Sequence, residues 1–292
     1  MYKYVKLLHL LLILSVNARS QSSKVAVLPP VMDEISGIAI GSGKEILAFM
    51  HNDSGDTSRV FAMGKNGKLL STLYFRGVSG SKGVADCEDI ASGKSPGKKG
   101  RFIYLGDIGD NKARRAFITV YRIPEPKRVK SPVMEVAAGA VFLRYPDGAR
   151  DAETLMVDGT DELLYIISKR EDTVSIYTAP LTWNNGDTIT LDKRGTRWFP
   201  GEKPAKWICS GDISADGKKV VLKNYLKIYY WDRKKNEPVW QTLQRPAIEL
   251  PYTPEQQGEA VCFDSKGKGY YTVSEGKEQP VWYYQLNASG RW

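Results

Sequence analysis

The chain has 292 residues, of which 42% are hydrophobic and 26% charged, and its formal net charge is +9. That apolar content suits one large domain or two ordinary ones and excludes a chain disordered throughout. With two histidines in the whole sequence, a histidine-rich zinc site is excluded as well.

Residues 1–20 stand apart. MYKYVK is basic, LLHLLLILSV is a short apolar run, and NARS ends in small residues. The run is too short to cross a bilayer, so the expectation is a signal peptide cleaved near Ala18 or Ser20. The protein is then expected outside the cell, or in the periplasm of a bacterium, without a membrane span. Loss of Lys3, Lys6 and Arg19, with no acids, lowers the formal charge by three and leaves His51 as the remaining histidine. In such an oxidising setting three cysteines leave at least one without an intramolecular partner. Cys209 lies three before Asp212 and Cys262 three after Glu259. That offset on matched strands favours buried free thiols over a staple.

Residues 21–292 read as one domain. Lys24–Leu28 is a lone strand halted by Pro29-Pro30. A first group of four strands follows: EISGIAI, EILAFMHNDSGD, SRVFAM and LLSTLYF. The second runs from Asp86 to Pro126, DCEDIASGK through VYRIPEP, and takes residues 137–145 (AAGAVFLRY) as its fourth strand. The third is DAETLMVD, LLYIISKRE, VSIYTAPL and TITLDK; the fourth is CSGDISADG, KKVVLKNY, LKIYYWD and PVWQTL. The last shows three: GEAVCFD, GYYTVSE and PVWYYQL. A four-strand unit repeated with variable loops is the pattern of a β-propeller. Five blades are expected, or six if the long second or third unit hides two. The orphan strand at Lys24–Leu28 supplies the missing fourth strand and closes the ring, which removes exposed edges. A β-sandwich is the structural alternative, but it leaves the recurring acidic opener unexplained.

Those openers place acids at Glu34, Glu88, Glu153, Asp212 and Glu259. In a propeller the first strands line the channel, and the ends of the second strands share its mouth. Asn52, Asp53, Asp107, Asp110 and Asn111 lie at such ends. A mouth formed by Glu34, Asn52, Asp53, Glu88, Asp107, Asp110, Asn111, Glu153 and Glu259 is rich in oxygen donors and suits calcium. Arg150, Lys169, Arg170 and Lys223 could neutralise the same acids in its place. The plainer reading makes HNDSGD and GDIGDN Asx-stabilised turns and ties opener acids to backbone amides of neighbouring blades.

Weaker signals point to catalysis. His51 beside Asn52-Asp53-Ser54 lacks a G-x-S-x-G elbow, and neighbours on a strand point opposite ways, so no triad forms among them. Asp53 or Asp107 with Glu153 or Glu259 could serve glycoside hydrolysis if their separation suits. Hydrolysis of a phosphate or lactone ester is equally open. Trp198 and Trp207 could stack sugars or cover a blade end. The turns at the opposite face are basic, among them Lys65–Lys68, Lys94–Arg101, Lys218–Lys219 and Lys266–Lys268. They suit an acidic polysaccharide or an extracellular protein as partner. No aromatics are interleaved with them, so nucleic acid is not expected. Sequons begin at Asn52 and Asn287, the latter the better placed for a glycan. A monomer is expected.

The succession EISGIA, NDSGD, CEDIA, YLGDIGDN, RDAETLMVD, YIISKRE, VVLKNY and QGEAVCF resembles a family of uncharacterised secreted β-propellers. More distantly it is similar to the phytase-like esterase and calcium-binding lactonase propellers. The resemblance implies a propeller with calcium in the channel mouth held by acidic and Asn ligands. For the lactonase histidine base it offers only His51. The leading functional expectation is therefore an extracellular binding or matrix scaffold, with a metal-assisted hydrolase at the same mouth as the alternative.

Overall fold

A computed structural model describes residues 22–53, 55–77 and 84–286. The expected signal segment and Asn287 lie outside these residues. Among them the strands, in chain order, are β1 (Ser22–Val27), β2 (Ile35–Ile40), β3 (Ile46–Asn52), β4 (Arg59–Gly64), β5 (Leu69–Phe75), β6 (Cys87–Lys94), β7 (Arg101–Asp107) and β8 (Ile118–Pro124). Then come β9 (Val133–Val136), β10 (Gly139–Arg144), β11 (Ala152–Asp158), β12 (Leu163–Ser168), β13 (Thr173–Pro180), β14 (Thr188–Thr190) and β15 (Asp192–Trp198). The last elements are β16 (Ile208–Ile213), β17 (Lys219–Asn224), β18 (Ile228–Asp232), a one-turn helix α1 (Val239–Thr242), β19 (Ile248–Leu250), β20 (Gly258–Phe263), β21 (Gly269–Ser274) and β22 (Pro280–Gln285).

They form five sheets: β2-β3-β4-β5-β9, β6-β7-β8-β10-β14, β11-β12-β13-β15, β16-β17-β18-β19 and β20-β21-β22-β1. The N-terminal strand β1 pairs antiparallel with β22, so the two ends of the described chain complete one blade. Five apolar cores lie between successive blades, and the fifth joins the last blade to the first. That fifth core closes the ring, because an open row of five sheets would have four. Each blade is covered on both faces, so middle strands such as β12 (LLYIIS) run apolar and buried, while the outer strand β15 (DKRGTRW) is polar and largely exposed. On β3, Phe49 points to the second blade while Ala48 and Met50 point to the fifth, the alternation a strand imposes.

Two expected strands are placed differently. TITLDK was expected as the fourth strand of the third blade, but β15 holds that position. Thr188–Thr190 instead pairs parallel with β10 of the second blade, and Val133–Val136 likewise pairs parallel with β5 of the first. Each is a loop segment that reaches back to the preceding blade's outer edge, which explains the long second and third units without a sixth blade. PVWQTL was expected as a strand and contains α1. Pro238 caps it at φ −63°, and Val239, Thr242 and Leu243 bury one helical face, so β19 completes the sheet. The three cysteines are buried and free.

Candidate functional site

The inner strands β2, β6, β11, β16 and β20 share an irregularity near their first residues. Each ladder skips one residue at the same place, a β-bulge that leaves Ser36, Glu88, Glu153, Cys209 and Glu259 unpaired. The acidic repeat thus holds in three blades. In the first and fourth, the residues equivalent to these glutamates are Ser36 and Cys209; Glu34 and Asp212 are not. A bulge takes a residue out of the strand's alternation and re-aims it. Here Glu88 senses the charge of Glu153, and Glu153 that of Glu259.

Asp53 follows the end of β3, and Asp86 precedes β6. One oxygen each from Asp53, Asp86 and Glu88 lie within 4.8 Å of one another. Asp86 was missed by the sequence reading, although its D-x-E spacing with Glu88 was visible. A Cβ on Gly109 would overlap Glu88 Oε1 and Asp86 Oδ2, so the second glycine of GDIGDN leaves the room these carboxylates occupy. Burial, reinforced by the charge of Asp151, lifts Asp86 to about 6. Burial together with Glu153, Asp53 and Asp86 drives Glu88 well above the usual carboxylate range. Glu275 is pushed up by burial and by its hydrogen bond with Glu259. These acids are frustrated, each raising the cost of ionising the next.

One of the four expected counter-ions reaches a bulge glutamate. Lys169, buried, contacts Glu153 and donates to Tyr225 Oη at 3.0 Å, and Tyr225 donates to Glu259 Oε1 at 2.6 Å. Burial pushes Glu153 up while Lys169 opposes it, and the attraction holds Lys169 charged. Arg170 contacts Asp151 and Asn111, Arg150 pairs with Asp147 and Glu171, and Lys223 donates to the backbone carbonyls of Gly258 and Asn224.

Other expected ligands have internal duties. Asp107 accepts from Ala85 N at 3.1 Å and Asp86 N at 3.0 Å and pairs with Arg115 at 2.8 Å. Asp110 caps its own loop by accepting from Arg114 N and Arg115 N, both at 2.6 Å. Asp89 and Asp212 join blades: Asp89 accepts from Leu155 N at 2.9 Å and Ser210 Oγ at 3.3 Å, and Asp212 from Phe263 N at 2.8 Å. The backbone-tying reading holds for these two. Glu34 is exposed at the rim, where its charge reaches Glu275.

His51 is 1% exposed, and burial lowers it to about 4, so it is neutral at ordinary pH and withdrawn from solvent. Asn52 is buried and its Nδ2 donates to Val31 O at 3.1 Å, so this amide is not presented to solvent for a glycan; its Oδ1 has no hydrogen-bond partner among the described residues. Trp207 lies under Arg170 at 5.1 Å, and Trp198 is 57% exposed beneath Lys206.

The molecule is thus a five-bladed β-propeller whose channel gathers carboxylates at one mouth. No protein-family model matches its sequence, and no curated protein matches it. Among solved structures it is similar to a luciferin-regenerating enzyme, at 9% identity over 92% of this chain and 96% of that one, with a TM-score of 0.47. No helix among the described residues is long and apolar enough to cross a membrane.

Proposed function

We propose that this propeller is exported, binds calcium at its acidic channel mouth, and serves as an extracellular scaffold for a protein or acidic polysaccharide. The observation that carries the reading is the Asp53–Asp86–Glu88 cluster. Two oxygens that each lie 2.3–2.6 Å from one calcium ion are at most about 5 Å apart. The 4.8 Å spread of this cluster fits within that limit. Gly109 leaves the space, and a divalent ion would offset the burial and the repulsion that together hold Glu88 and Asp86 above their ordinary values. The remoter resemblance to phytase-like and calcium-binding lactonase propellers supports the same cation.

Calorimetric titration of the chain with calcium tests this. Saturable binding that weakens at least tenfold in Asp86→Asn supports it, and the absence of heat with an unchanged melting temperature in chelator removes it. A second reading, hydrolysis of a phosphoester, lactone or glycoside at this mouth, is favoured by one observation. Glu153 is pushed toward its protonated form beside the cluster, as a general acid near a cation would be. Substrate screening with calcium tests it: turnover that Glu153→Gln abolishes without loss of calcium affinity would establish an enzyme.

A further inference from the structure

The inner strands end at the other opening of the ring, where two adjoining cavities of about 490 and 200 Å³ lie. Their walls come from all five blades, and Arg101, the first residue of β7, lines both. Its Nη2 donates to Ser92 Oγ at 3.0 Å and its Nε to Glu125 Oε2 at 3.3 Å, which fixes the guanidinium in the wall. Lys65, exposed, faces the larger cavity and has no carboxylate partner among the described residues. The nearby acids are already engaged. Asp264 accepts from Lys266 N, Lys268 N and Tyr283 Oη, each at 2.8–3.0 Å. Asp216 accepts from Ser214 Oγ and Lys218 N, and Glu125 from the amide and hydroxyl of Ser42. The rest of the larger cavity includes Ile40, Leu47 and the ring of Tyr271.

A cavity with an apolar and aromatic wall, a fixed guanidinium and an unmatched ammonium is built for an organic anion. Its volume falls in the range of small-molecule sites and far exceeds a lone inorganic ion. We propose that this opening binds a sugar-sized ligand bearing a carboxylate or sulfate, with the anion on Arg101 and Lys65 and the ring against Tyr271. The site is separate from the acidic mouth and stands whether or not calcium binds there.

Calorimetry of the full chain with glucuronate, glucose 6-sulfate and neutral glucose tests it. At least one anion binds, glucose binds at least about tenfold more weakly, and added salt weakens the anion. The two anion arms tell a carboxylate site from a sulfate site. Lys65→Gln, an exposed substitution without folding risk, and Arg101→Gln each weaken the anion about three- to tenfold. Failure of both anions to bind, equal affinity for glucose, or unchanged affinity in Lys65→Gln and Arg101→Gln would overturn the proposal.

Discussion

The same inner strands carry two kinds of carboxylate, and one residue of register separates them. Asp89 and Asp212 lie within the regular ladder, point at a neighbouring blade and accept its backbone amides. Glu88, Glu153 and Glu259 sit at the bulges, outside the ladder, and confront one another. The first kind completes hydrogen bonds that would otherwise be buried and unmade; the second crowds negative charge. Acids of one repeat can therefore stabilise the ring or burden it, depending on which side of a bulge they fall.

The largest effect should come from the tying acids. Asp89→Ala strips acceptors from Leu155 N and Ile90 N, both buried, and should destabilise the protein by about 4 kcal/mol in denaturant unfolding. A loss under about 1 kcal/mol would erase the distinction. Next comes the shared cation. Lys169→Met leaves Glu153 without its counter-ion and should cost about 3 kcal/mol, the low end for halving a buried pair because Glu153 takes up a proton.

A pH series sharpens the contrast. A carboxyl whose folded pKa lies above its unfolded value binds more protons when folded, so stability falls as pH rises between the two. For Asp86 that window runs from its ordinary value near 4 to about 6, and the raised Glu88 and Glu153 extend the decline upward. Melting temperature without calcium should therefore drop across this range and stay flatter with calcium present; a rise with pH would contradict the picture. The smallest effect is a gain. Glu88→Gln supplies a neutral side chain where the folded protein must otherwise bind a proton to a buried carboxyl, and should stabilise the calcium-free protein at pH 7 by about 1 kcal/mol, since one unit of pKa shift is worth about 1.4. It should also lose the stabilisation that calcium gives.

Much of the ring was legible because both faces of every blade are buried, so strands such as LLYIIS and ILAFMHN are unbroken apolar runs between turn residues. Strand β1 as the closing strand followed from counting three strands after Gly258. What sequence reading could not resolve is pairing between loops and earlier blades: Thr188–Thr190 has strand composition, but its partner β10 is set by the ring. α1 escaped because VWQT is short and β-prone, and only its buried Val239–Leu243 spacing favours a turn of helix. At the mouth, composition named Asp53 and Glu88 but could not separate them from Asp107 and Asp110, whose oxygens meet backbone amides. The bulges decided which opener acid faces the channel. A skipped pairing leaves no mark in composition, so Asp212 was counted where Cys209 stands.

The most direct test is a crystal of the protein grown or soaked in calcium. The account predicts one ion within 2.3–2.6 Å of oxygens from Asp53, Asp86 and Glu88, with Gly109 facing it. A mouth without an ion at saturating calcium, its three carboxyls held together by shared protons, would contradict it.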